Sequence, residues 1–467
     1  MANQEHDKMT ERAEIFKAKS AIKSADLEHR HKINFNIGKY NAAVPEGKKQ
    51  FADNNLVKER AKNIKWSALE KLDQHLEEFE MHFTARGGKV IWADNSQEAL
   101  DEILSICKEK KCTSIVKSKS MVTEEIQLNH FLKEHGIQSV ETDLGEYIQQ
   151  LDDEPPYHIV TPAMHKNKED VAKLFENKLG TPSKLSPQEL TLVARENLRD
   201  KYVEAEIGIT GANFIISDIG GIAVTENEGN ARLSTAWPKT HIVIVGIEKM
   251  IPSITDLALF WPLLATYGTG QKVTVYNSII SGPRQPGETD GPEDMYVILL
   301  DNNRTNILAN AIQRESLYCI RCGACLNACP VYKNIGGHAY GTTYSGPIGS
   351  VITPNLKGLE EYKHLSYASS LCGACTEVCP VKINLHQLLL ANRNASVEEG
   401  MTTLAERLAW KTWKVASLNR RMMNKGNGKL KSKVVTTLFK EWNKQHTPLS
   451  FSKKTFNEMW KDKQNLK

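Results

Sequence analysis

Apolar positions between residues 66 and 301 follow two alternating spacings. Amphipathic stretches, with apolar residues three or four positions apart, predict helices at Trp66–Gly87 and Ser96–Lys108. Short apolar runs predict buried strands at Lys89–Ala93, Ser114–Lys117, Ser139–Thr142, His158–Thr161, Ala212–Ile216, Gly221–Thr225, His241–Val245, Val273–Tyr276 and Met295–Leu300. Helices that alternate with strands are typical of an α/β domain, which we predict over residues 66–301 with a sheet of mixed character.

Both flanks of this region carry a helical pattern. Residues 1–65 are polar and predict a helical lead-in that is broken at Pro45-Glu-Gly-Lys48. After residue 301 the strand patterns stop, and residues 302–400 predict a mostly helical domain that contains two runs of cysteines. Residues 401–467 predict helices with one apolar face, which carries Trp410, Trp413, Trp442 and Trp460.

Charge changes the picture of this last region. The whole chain has a formal net charge of +4, whereas residues 401–467 hold 16 Lys or Arg against 4 Asp or Glu, which leaves the rest acidic by 8. The basic region is therefore a candidate docking surface, although a solvated helical appendage has the same composition. Nucleic-acid binding is disfavoured because no recognised motif accompanies the charge.

Length and composition are those of a globular protein. A chain of 467 residues with 25% charged residues predicts two or three domains. Residues 1–23 have no uninterrupted apolar segment of the kind that a secretory signal needs. The longest apolar run, Leu257–Ala265, is far shorter than the roughly 18 residues of a membrane span. We therefore expect a cytoplasmic protein without a membrane span.

The strongest chemical signal is a pair of cysteine runs that hold seven of the nine cysteines. They read Cys319-Ile-Arg-Cys322-Gly-Ala-Cys325-Leu-Asn-Ala-Cys329-Pro330 and Cys372-Gly-Ala-Cys375-Thr-Glu-Val-Cys379-Pro380. The first has the full spacing of bacterial two-cluster ferredoxins, in which three thiolates hold one cluster and the fourth ligates the other. This crossing rule predicts two iron–sulfur clusters, the first held by Cys319, Cys322, Cys325 and Cys379, and the second by Cys329, Cys372 and Cys375.

The second predicted site is one thiolate short. Ser369 stands where the missing cysteine would be, three residues before Cys372. A 4Fe–4S cluster with an open or non-cysteine ligand, a 3Fe–4S cluster and a ligand from a partner all fit the spacing. A serine ligand is disfavoured because a hydroxyl resists deprotonation more than a thiol does.

Other roles for cysteine fit less well. A group of four followed by a group of three, each closed by Cys-Pro, matches no common zinc pattern. Disulfides are disfavoured because nothing in the chain indicates an oxidising compartment. The remaining Cys107 and Cys112 are interpreted as small buried apolar residues.

Two resemblances extend this picture. The helical cysteine domain resembles the α-helical ferredoxin domain of succinate dehydrogenase iron–sulfur subunits, although the missing cysteine occupies a different position. The segment Ile209–Asn230, followed by Ser281-Gly-Pro-Arg284 and the two cysteine runs, resembles the lactate utilisation protein B family. That resemblance implies a LUD domain fused to a two-cluster domain. It also implies a complex with protein A-like and protein C-like subunits that oxidises L-lactate to pyruvate and supports growth on lactate.

LUD domains resemble the fold of ribose-5-phosphate isomerase and coenzyme A transferases, which implies a ligand at the carboxyl ends of the strands. Ser118, Lys119 and Ser120 follow a predicted strand and are candidates for binding an anionic cofactor, or form an ordinary turn with a serine cap. Gly220 and Gly221 allow close backbone approach to a cofactor, or serve a plain hairpin. The catalytic candidates, each with the alternative of a surface position, are Glu226, Glu228 and Arg284.

Lactate oxidation removes two electrons, whereas an iron–sulfur cluster passes one at a time. The chain has no Gly-x-Gly-x-x-Gly fingerprint for the flavin that would ordinarily divide the pair. In the first hypothesis the chemistry therefore begins on a partner, and this chain transfers electrons. In the second, the LUD domain itself binds and oxidises a small 2-hydroxy acid or binds an anionic cofactor. In the third, the clusters are structural or redox-sensing, and whether the chain is an enzyme stays open.

Overall fold

The computed structural model describes residues 10–438, 440–443 and 446–464. The chain divides into two compact units, a larger one of Met9–Glu399 and a smaller one that contains the residues from Gly400 onward. In the larger unit, four helices precede the first strand: α1 (Glu11–Ala25), α2 (Leu27–Lys48), α3 (Asn54–Glu70) and α4 (Leu72–Ala85). Asp26 and Asp53 cap α2 and α3 by accepting hydrogen bonds from backbone N–H groups of the first turn.

The α/β region follows these helices. Its elements are β1 (Lys89–Ala93), α5 (Ser96–Glu109), β2 (Ser114–Lys117), α6 (Met121–Glu125), α7 (Leu128–Glu134), β3 (Gln138–Glu141), α8 (Leu144–Leu151), α9 (Lys168–Leu179), α10 (Pro187–Glu204), β4 (Ile207–Thr210), β5 (Phe214–Ile216), β6 (Gly221–Glu226), α11 (Asn230–Ala236), β7 (Thr240–Gly246), β8 (Met250–Ile251), α12 (Leu257–Thr269), β9 (Tyr276–Ile280) and β10 (Asp294–Leu300).

The strands form two sheets. One has six parallel strands in the order β1-β10-β7-β4-β2-β3, and the other has four in the order β8-β5-β6-β9. In the smaller sheet β6 pairs antiparallel with both neighbours, whereas β5 and β8 are parallel. The α/β class is confirmed, but the single mixed sheet is replaced by two sheets, and only the smaller one is mixed.

A helical domain completes the larger unit. It consists of α13 (Arg304–Ala309), α14 (Ala324–Ala328), α15 (Tyr332–Ile335), α16 (Gly346–Lys357), α17 (Leu359–Tyr367), α18 (Ala374–Val378) and α19 (Leu385–Glu398). One continuous core joins this domain to the rest, since Leu326 and Ile348 of the helical domain lie in the same cluster as Ile37 of α2, Phe79 of α4 and Val243 of β7. The helical domain and the α/β region therefore share their interior.

The smaller unit is helical, and most of its described residues are exposed. Its elements are α20 (Leu404–Leu418), α21 (Arg420–Asn424), α22 (Gly428–Leu438), α23 (Lys440–Asn443) and α24 (Phe456–Gln464). Among the residues that the structure describes there, only Thr402 and Gly428 are buried, and Trp410, Trp413 and Trp460 are exposed. The side chain of Trp442 lies outside the described residues. No helix in the described part of the chain combines the length and apolarity that crossing a membrane requires.

Two predicted strands are wrong. His158–Thr161 forms a turn, closed by a Tyr157 N–H to Pro162 carbonyl hydrogen bond of 2.9 Å. The imidazole of His158 accepts the Val160 N–H at 3.1 Å, so its side chain replaces a neighbouring strand as the hydrogen-bond partner. At Val273–Tyr276 the strand begins only at Tyr276, because Val275 is exposed and its N–H bonds to the Asn227 side chain.

Other differences concern boundaries and omissions. The predicted helix Trp66–Gly87 is divided at Lys71, whose backbone leaves the helical conformation. The predicted break at Pro45-Glu-Gly-Lys48 is confirmed, because α2 ends at Lys48, with Pro45 in its last turn, where its missing N–H removes one hydrogen bond. Sequence analysis missed β4, which is central in the parallel sheet, and the two-residue β8.

Candidate iron–sulfur sites and an adjoining cavity

The first cysteine loop runs from Cys319 to the start of α14. Arg321 has a left-handed backbone (φ 61°), as does Gly323 (φ 78°), which turns the chain tightly around the thiols. The Cys319 sulfur accepts the Arg321 N–H at 3.4 Å. Gly323 also lies against the ring of His158, where an added Cβ would be 3.1 Å from the imidazole Cε1. Both the backbone angle and this contact favour glycine.

The second cysteine loop repeats this backbone. Leu371 (φ 53°) and Gly373 (φ 81°) are left-handed, and α18 begins at Ala374 as α14 begins at Ala324. The Ser369 hydroxyl accepts the Leu371 N–H at 3.1 Å. The two loops are therefore local copies, with a serine oxygen at the place of one sulfur.

The seven thiols form two groups, because each thiol changes the pKa of its neighbours within a group. Burial raises the pKa of Cys322, and the nearby thiols of Cys379 and Cys319 raise it further. Burial and the nearby thiols of Cys319 and Cys322 raise the pKa of Cys325. In the other group, burial and the neighbouring Cys329 raise the pKa of Cys375 to about 11. The groups are Cys319, Cys322, Cys325 and Cys379 on one side, and Cys329, Cys372 and Cys375 on the other.

The two groups differ in their exposure. In the first, only Cys319 is partly exposed, whereas in the second Cys372 is exposed. The Ala374 N–H and the Ser370 hydroxyl lower the pKa of Cys372. The first group is therefore enclosed by protein, and the second opens to the surface.

These residues fit iron–sulfur clusters. All seven cysteines are free thiols, and backbone N–H groups point at the sulfurs of Cys319, Cys329 and Cys379. Such N–H contacts are one of the means by which proteins stabilise bound clusters. Burial keeps a thiol protonated when no metal is bound. A metal ion would replace that proton, because a thiol that coordinates a metal is deprotonated.

Beside the first loop lies a cavity of about 370 Å³. Ser118, Lys119 and Ser120 line it directly after β2, and Glu226 and Glu228 line it at the end of β6. Arg321 and Cys322 of the first cysteine loop contribute to the same lining. Since β2, β4 and β7 are parallel, their carboxyl ends meet at one edge of the sheet, where ligands bind in open α/β folds.

The acidic side of the cavity comes from the loop after β6. Burial and the neighbouring Asp143 raise the pKa of Glu228 to about 7, although the residue keeps contact with solvent at the cavity mouth. Its carboxylate accepts the Leu144 N–H at 3.0 Å. The Glu226 carboxylate accepts the N–H groups of Ala231 and Arg232 at 2.7 and 3.0 Å, so it caps α11. Glu228 is therefore the better placed of the two to exchange a proton.

The cationic side includes two residues that sequence analysis missed. Lys249 is only 6% exposed, and burial lowers its pKa to about 8. Arg321 lies over the Tyr344 ring, 4.6 Å from its centre. Lys119, which sequence analysis identified, donates to the Val160 carbonyl at 2.7 Å. The signal for Arg321 was its place inside the first cysteine run, and the signal for Lys249 was a charged pair inside an apolar segment.

A buried ion network connects the sheet edge to the first loop. Arg304, the first residue of α13, holds Glu125 through two hydrogen bonds of 3.0 and 2.9 Å and Glu248 through one of 2.6 Å. Tyr344 donates to Glu125 at 2.6 Å. The Arg321 guanidinium reaches Glu248 at 3.4 Å. This network holds Arg321 in place in the lining of the cavity.

Three candidate residues lie elsewhere. Arg284 stands on a loop beside Glu293, 3.4 Å away, and is not among the residues that line the cavity. Gly220 and Gly221 form the turn between β5 and β6, and a Cβ on Gly220 would overlap the backbone of α4. The plain hairpin accounts for both glycines.

The two cysteines outside the runs follow the structural interpretation. Cys107 is 1% exposed and Cys112 is 8% exposed, and both pack in a core cluster with residues of the parallel sheet. The buried thiols of the two loops, those of Cys322, Cys325, Cys329, Cys375 and Cys379, belong to a different core cluster.

Comparison with known families places this architecture. The family model of the LUD domain matches residues 76–300, and that of the 4Fe-4S dicluster domain matches residues 315–383. The chain is thus a LUD-domain protein with a dicluster iron–sulfur domain. Lactate utilization protein B of Bacillus velezensis is 47% identical over 369 residues, which cover 79% of this chain and 77% of that protein. The protein of the same name from Geobacillus thermodenitrificans is 50% identical over 359 residues, 76% of this chain and 75% of its own.

This chain belongs to the lactate utilization protein B family, which confirms the resemblance drawn from its motifs. A solved structure of a DUF162 family protein from Deinococcus radiodurans covers 49% of this chain and 98% of its own. Its identity of 14% and TM-score of 0.29 are too low to establish a shared fold.

Proposed function

We propose that this protein is an iron–sulfur electron-transfer subunit of a system that oxidises L-lactate to pyruvate. The name shared by its relatives supports a role in lactate use, and the dicluster domain supports electron transfer. The observation that carries the proposal is the pair of thiol groups, one enclosed beside the cavity and one open at Cys372. Protein A-like and protein C-like subunits are the proposed partners.

Cys319, Cys322, Cys325 and Cys379 are the proposed ligands of the first cluster. Cys329, Cys372 and Cys375 are those of the second, whose fourth position is taken by Ser369, by solvent or by a partner. When bound, clusters of this kind accept and donate single electrons. The chain's own contribution is to enclose the first site and to leave the second accessible at Cys372.

Cys322→Ser tests the proposal. We expect the variant to lose the visible absorbance and EPR signal of one cluster and to abolish lactate-dependent electron flow in the reconstituted system. Cys112→Ser is the matched control, because Cys112 is also buried but lies outside both thiol groups. Full electron flow in Cys322→Ser, with that cluster absent, would contradict the proposal.

A second candidate function is supported by the shared lining of the cavity. Glu228, with its raised pKa, and Cys322 of the first loop line one space. The LUD domain would then bind and oxidise a 2-hydroxy acid or hold an anionic cofactor itself. L-Lactate added to the reconstituted protein alone reduces the clusters if the site is complete in this chain. Clusters that stay oxidised until the partner subunits are added contradict this second function.

A further inference from the structure

The Lys249 side chain is almost wholly buried, and its ammonium group has no hydrogen-bond or ion-pair partner among the described residues. The residue is 6% exposed and lines the cavity beside the first cysteine loop. Within the described part of the chain, no hydrogen bond or ion pair joins its Nζ to another residue. A buried charge without a partner is costly, so such a group in a cavity indicates a ligand of opposite charge.

The fold delivers Lys249 to this position. β7 ends at Gly246, and a short 3₁₀ turn, Ile247–Lys249, connects it to β8 of the smaller sheet. Lys249 therefore stands at the carboxyl edge of the parallel sheet, where β2 also delivers Ser118. Lys65 supports the turn by donating to the backbone carbonyls of Glu248 and Met250 at 2.5 and 3.0 Å. The backbone around Lys249 is thus held while its side chain enters the cavity.

The nearest carboxylate is already committed. Glu248 accepts from Arg304 at 2.6 Å and lies 3.4 Å from Arg321. The Nη1 atom of Arg321 is buried without a hydrogen-bond partner, and Arg321 lines the same cavity. Lys249 and Arg321 are close enough that the positive charge of Arg321 lowers the pKa of Lys249, after the larger effect of burial. Two cations thus face one cavity, and the nearby carboxylate of Glu248 is held by Arg304 and Arg321 rather than by Lys249.

We infer that Lys249 and Arg321 bind the carboxylate of a small organic acid in this cavity. An ammonium and a guanidinium N–H that lack partners are matched by the two oxygens of a carboxylate. A cavity of about 370 Å³ is ample for a hydroxy acid of lactate size. The inference deepens the proposed function, because it gives the lactate system a binding site in this chain.

The acidic residues of the cavity favour ligands with one carboxylate over ligands with two. Glu228 and Asp143 place two carboxyl groups in the same lining, and the charge of Asp143 already contributes to the raised pKa of Glu228, so a second carboxylate on the ligand would add repulsion there. A monocarboxylate with an uncharged far end meets none. Lactate and pyruvate are the members of this class to use as probes.

A competing role for Lys249 is to balance the negative charge of the ligated first loop, since the Cys319 thiolate raises the pKa of Lys249. The two roles differ in what a neutral substitution changes. A charge-balancing lysine alters the cluster and leaves lactate affinity unchanged. A ligand-binding lysine alters lactate affinity even when the cluster spectrum is intact.

The test uses the full-length, cluster-loaded protein and isothermal titration calorimetry with L-lactate, pyruvate and L-lactamide. We expect the two carboxylates to bind and the uncharged lactamide, which has the same shape, to bind at least tenfold more weakly. Lys249→Gln should weaken lactate binding at least tenfold while the visible and EPR spectra of the clusters are unchanged. Lys239→Gln, an exposed lysine outside the cavity, should bind lactate like the unsubstituted protein.

Equal lactate affinity in Lys249→Gln and the unsubstituted protein would overturn the inference, as would equal binding of lactate and lactamide. Absence of carboxylate binding in the loaded protein would overturn it too. These outcomes are distinct from failure of the proposed function, which is measured as electron flow in Cys322→Ser. A protein that binds lactate through Lys249 but needs no clusters would keep the inference and refute the function.

Discussion

Ser369 occupies in the second cysteine loop the position that Cys319 occupies in the first. The Ser369 hydroxyl accepts the Leu371 N–H at 3.1 Å, and the Cys319 sulfur accepts the Arg321 N–H at 3.4 Å. In both loops the donor residue has a left-handed backbone. The second loop thus keeps the form of a four-thiolate site although one thiolate is absent.

Ser369→Cys should complete the second site. A fourth thiolate at this position protects the corner through which an open cluster loses iron. We expect the variant to keep about eight irons per chain, the content of two 4Fe–4S clusters, during exposure to air that lowers the content of the unsubstituted protein. Ser370→Cys, displaced by one residue, is the control and should lose iron like the unsubstituted protein. If Ser369→Cys loses as much iron as the unsubstituted protein, Ser369 does not occupy a ligand position equivalent to that of Cys319.

Arg304→Met should destabilise the larger unit strongly. Arg304 is 1% exposed and holds the carboxylates of Glu125 and Glu248, which would remain buried without their cation. Removing one partner of a buried ion pair costs about 3–5 kcal/mol. The thermal unfolding midpoint measures the effect. Arg284→Met removes a surface pair with Glu293 and should cost less than about 1 kcal/mol. Similar midpoints for the two variants would refute the role of this network.

Gly208→Ala and Gly38→Ala should have opposite effects on stability. A Cβ on Gly208 in β4 would overlap the Ser234 carbonyl of α11, and overpacking of this kind costs about 1–3 kcal/mol. Gly38 lies in α2, where an added Cβ would have no atom within 4 Å apart from its chain neighbours and the nearby backbone of its own helix, so alanine there should stabilise by about 0.5–1 kcal/mol. Chemical denaturation of the two variants compares them. A stable Gly208→Ala protein would show that α11 is not packed against β4 as described.

His241 should make the protein less stable as the pH falls. Its ring is buried in β7, its Nε2 atom lies 2.8 Å from the Thr210 hydroxyl, and burial lowers its pKa to about 3. The unfolded chain takes up a proton below the ordinary pKa of about 6.5, whereas the folded protein does not until about pH 3, so stability declines over that range.

The expected size is about 1.4 kcal/mol at pH 5.5, one unit below the unfolded pKa. His241→Gln removes this titration, so the stability difference between the variant and the unsubstituted protein should shift in favour of the variant between pH 7.5 and 5.5. His130→Gln, at an exposed position, is the control. A constant difference over that range would show that His241 is protonated in the folded state.

Much of the fold follows from local pattern. The strands β7 and β10 lie side by side in the parallel sheet, and their long apolar runs identify them because both faces are covered, whereas β1 at the edge of the sheet was recognised although Trp92 is exposed. β4 is also buried, but Gly208 separates its two isoleucines, so it has no continuous apolar run of the kind that identified β2, which has the same length. The turn at His158 was mistaken for a strand because Ile159 and Val160 are apolar for contact with the core, not for a sheet.

The candidate site was predictable only in part. Spacing identified the cysteines because their chemistry depends on local geometry, and Ser118, Lys119, Glu226 and Glu228 were found because they follow strands. Lys249 and Arg321 are 72 positions apart and approach each other only through the packing of the helical domain on the sheet edge. Arg284 has the right chemistry but lies on a surface loop, which no local pattern distinguishes from a site.

Because the helical domain and the α/β region share one core, the amount of folded protein should depend on whether iron is available. The cysteines Cys322, Cys325, Cys329, Cys375 and Cys379 belong to the same core cluster as Phe79 and Val243. Because metal binding at such a site contributes directly to folding free energy, a chain made without iron lacks part of what holds its α/β region together. Chains that unfold more often are removed by proteases. In a cell short of iron, turnover of this protein should therefore rise before any change in its gene expression, and lactate use would decline with it.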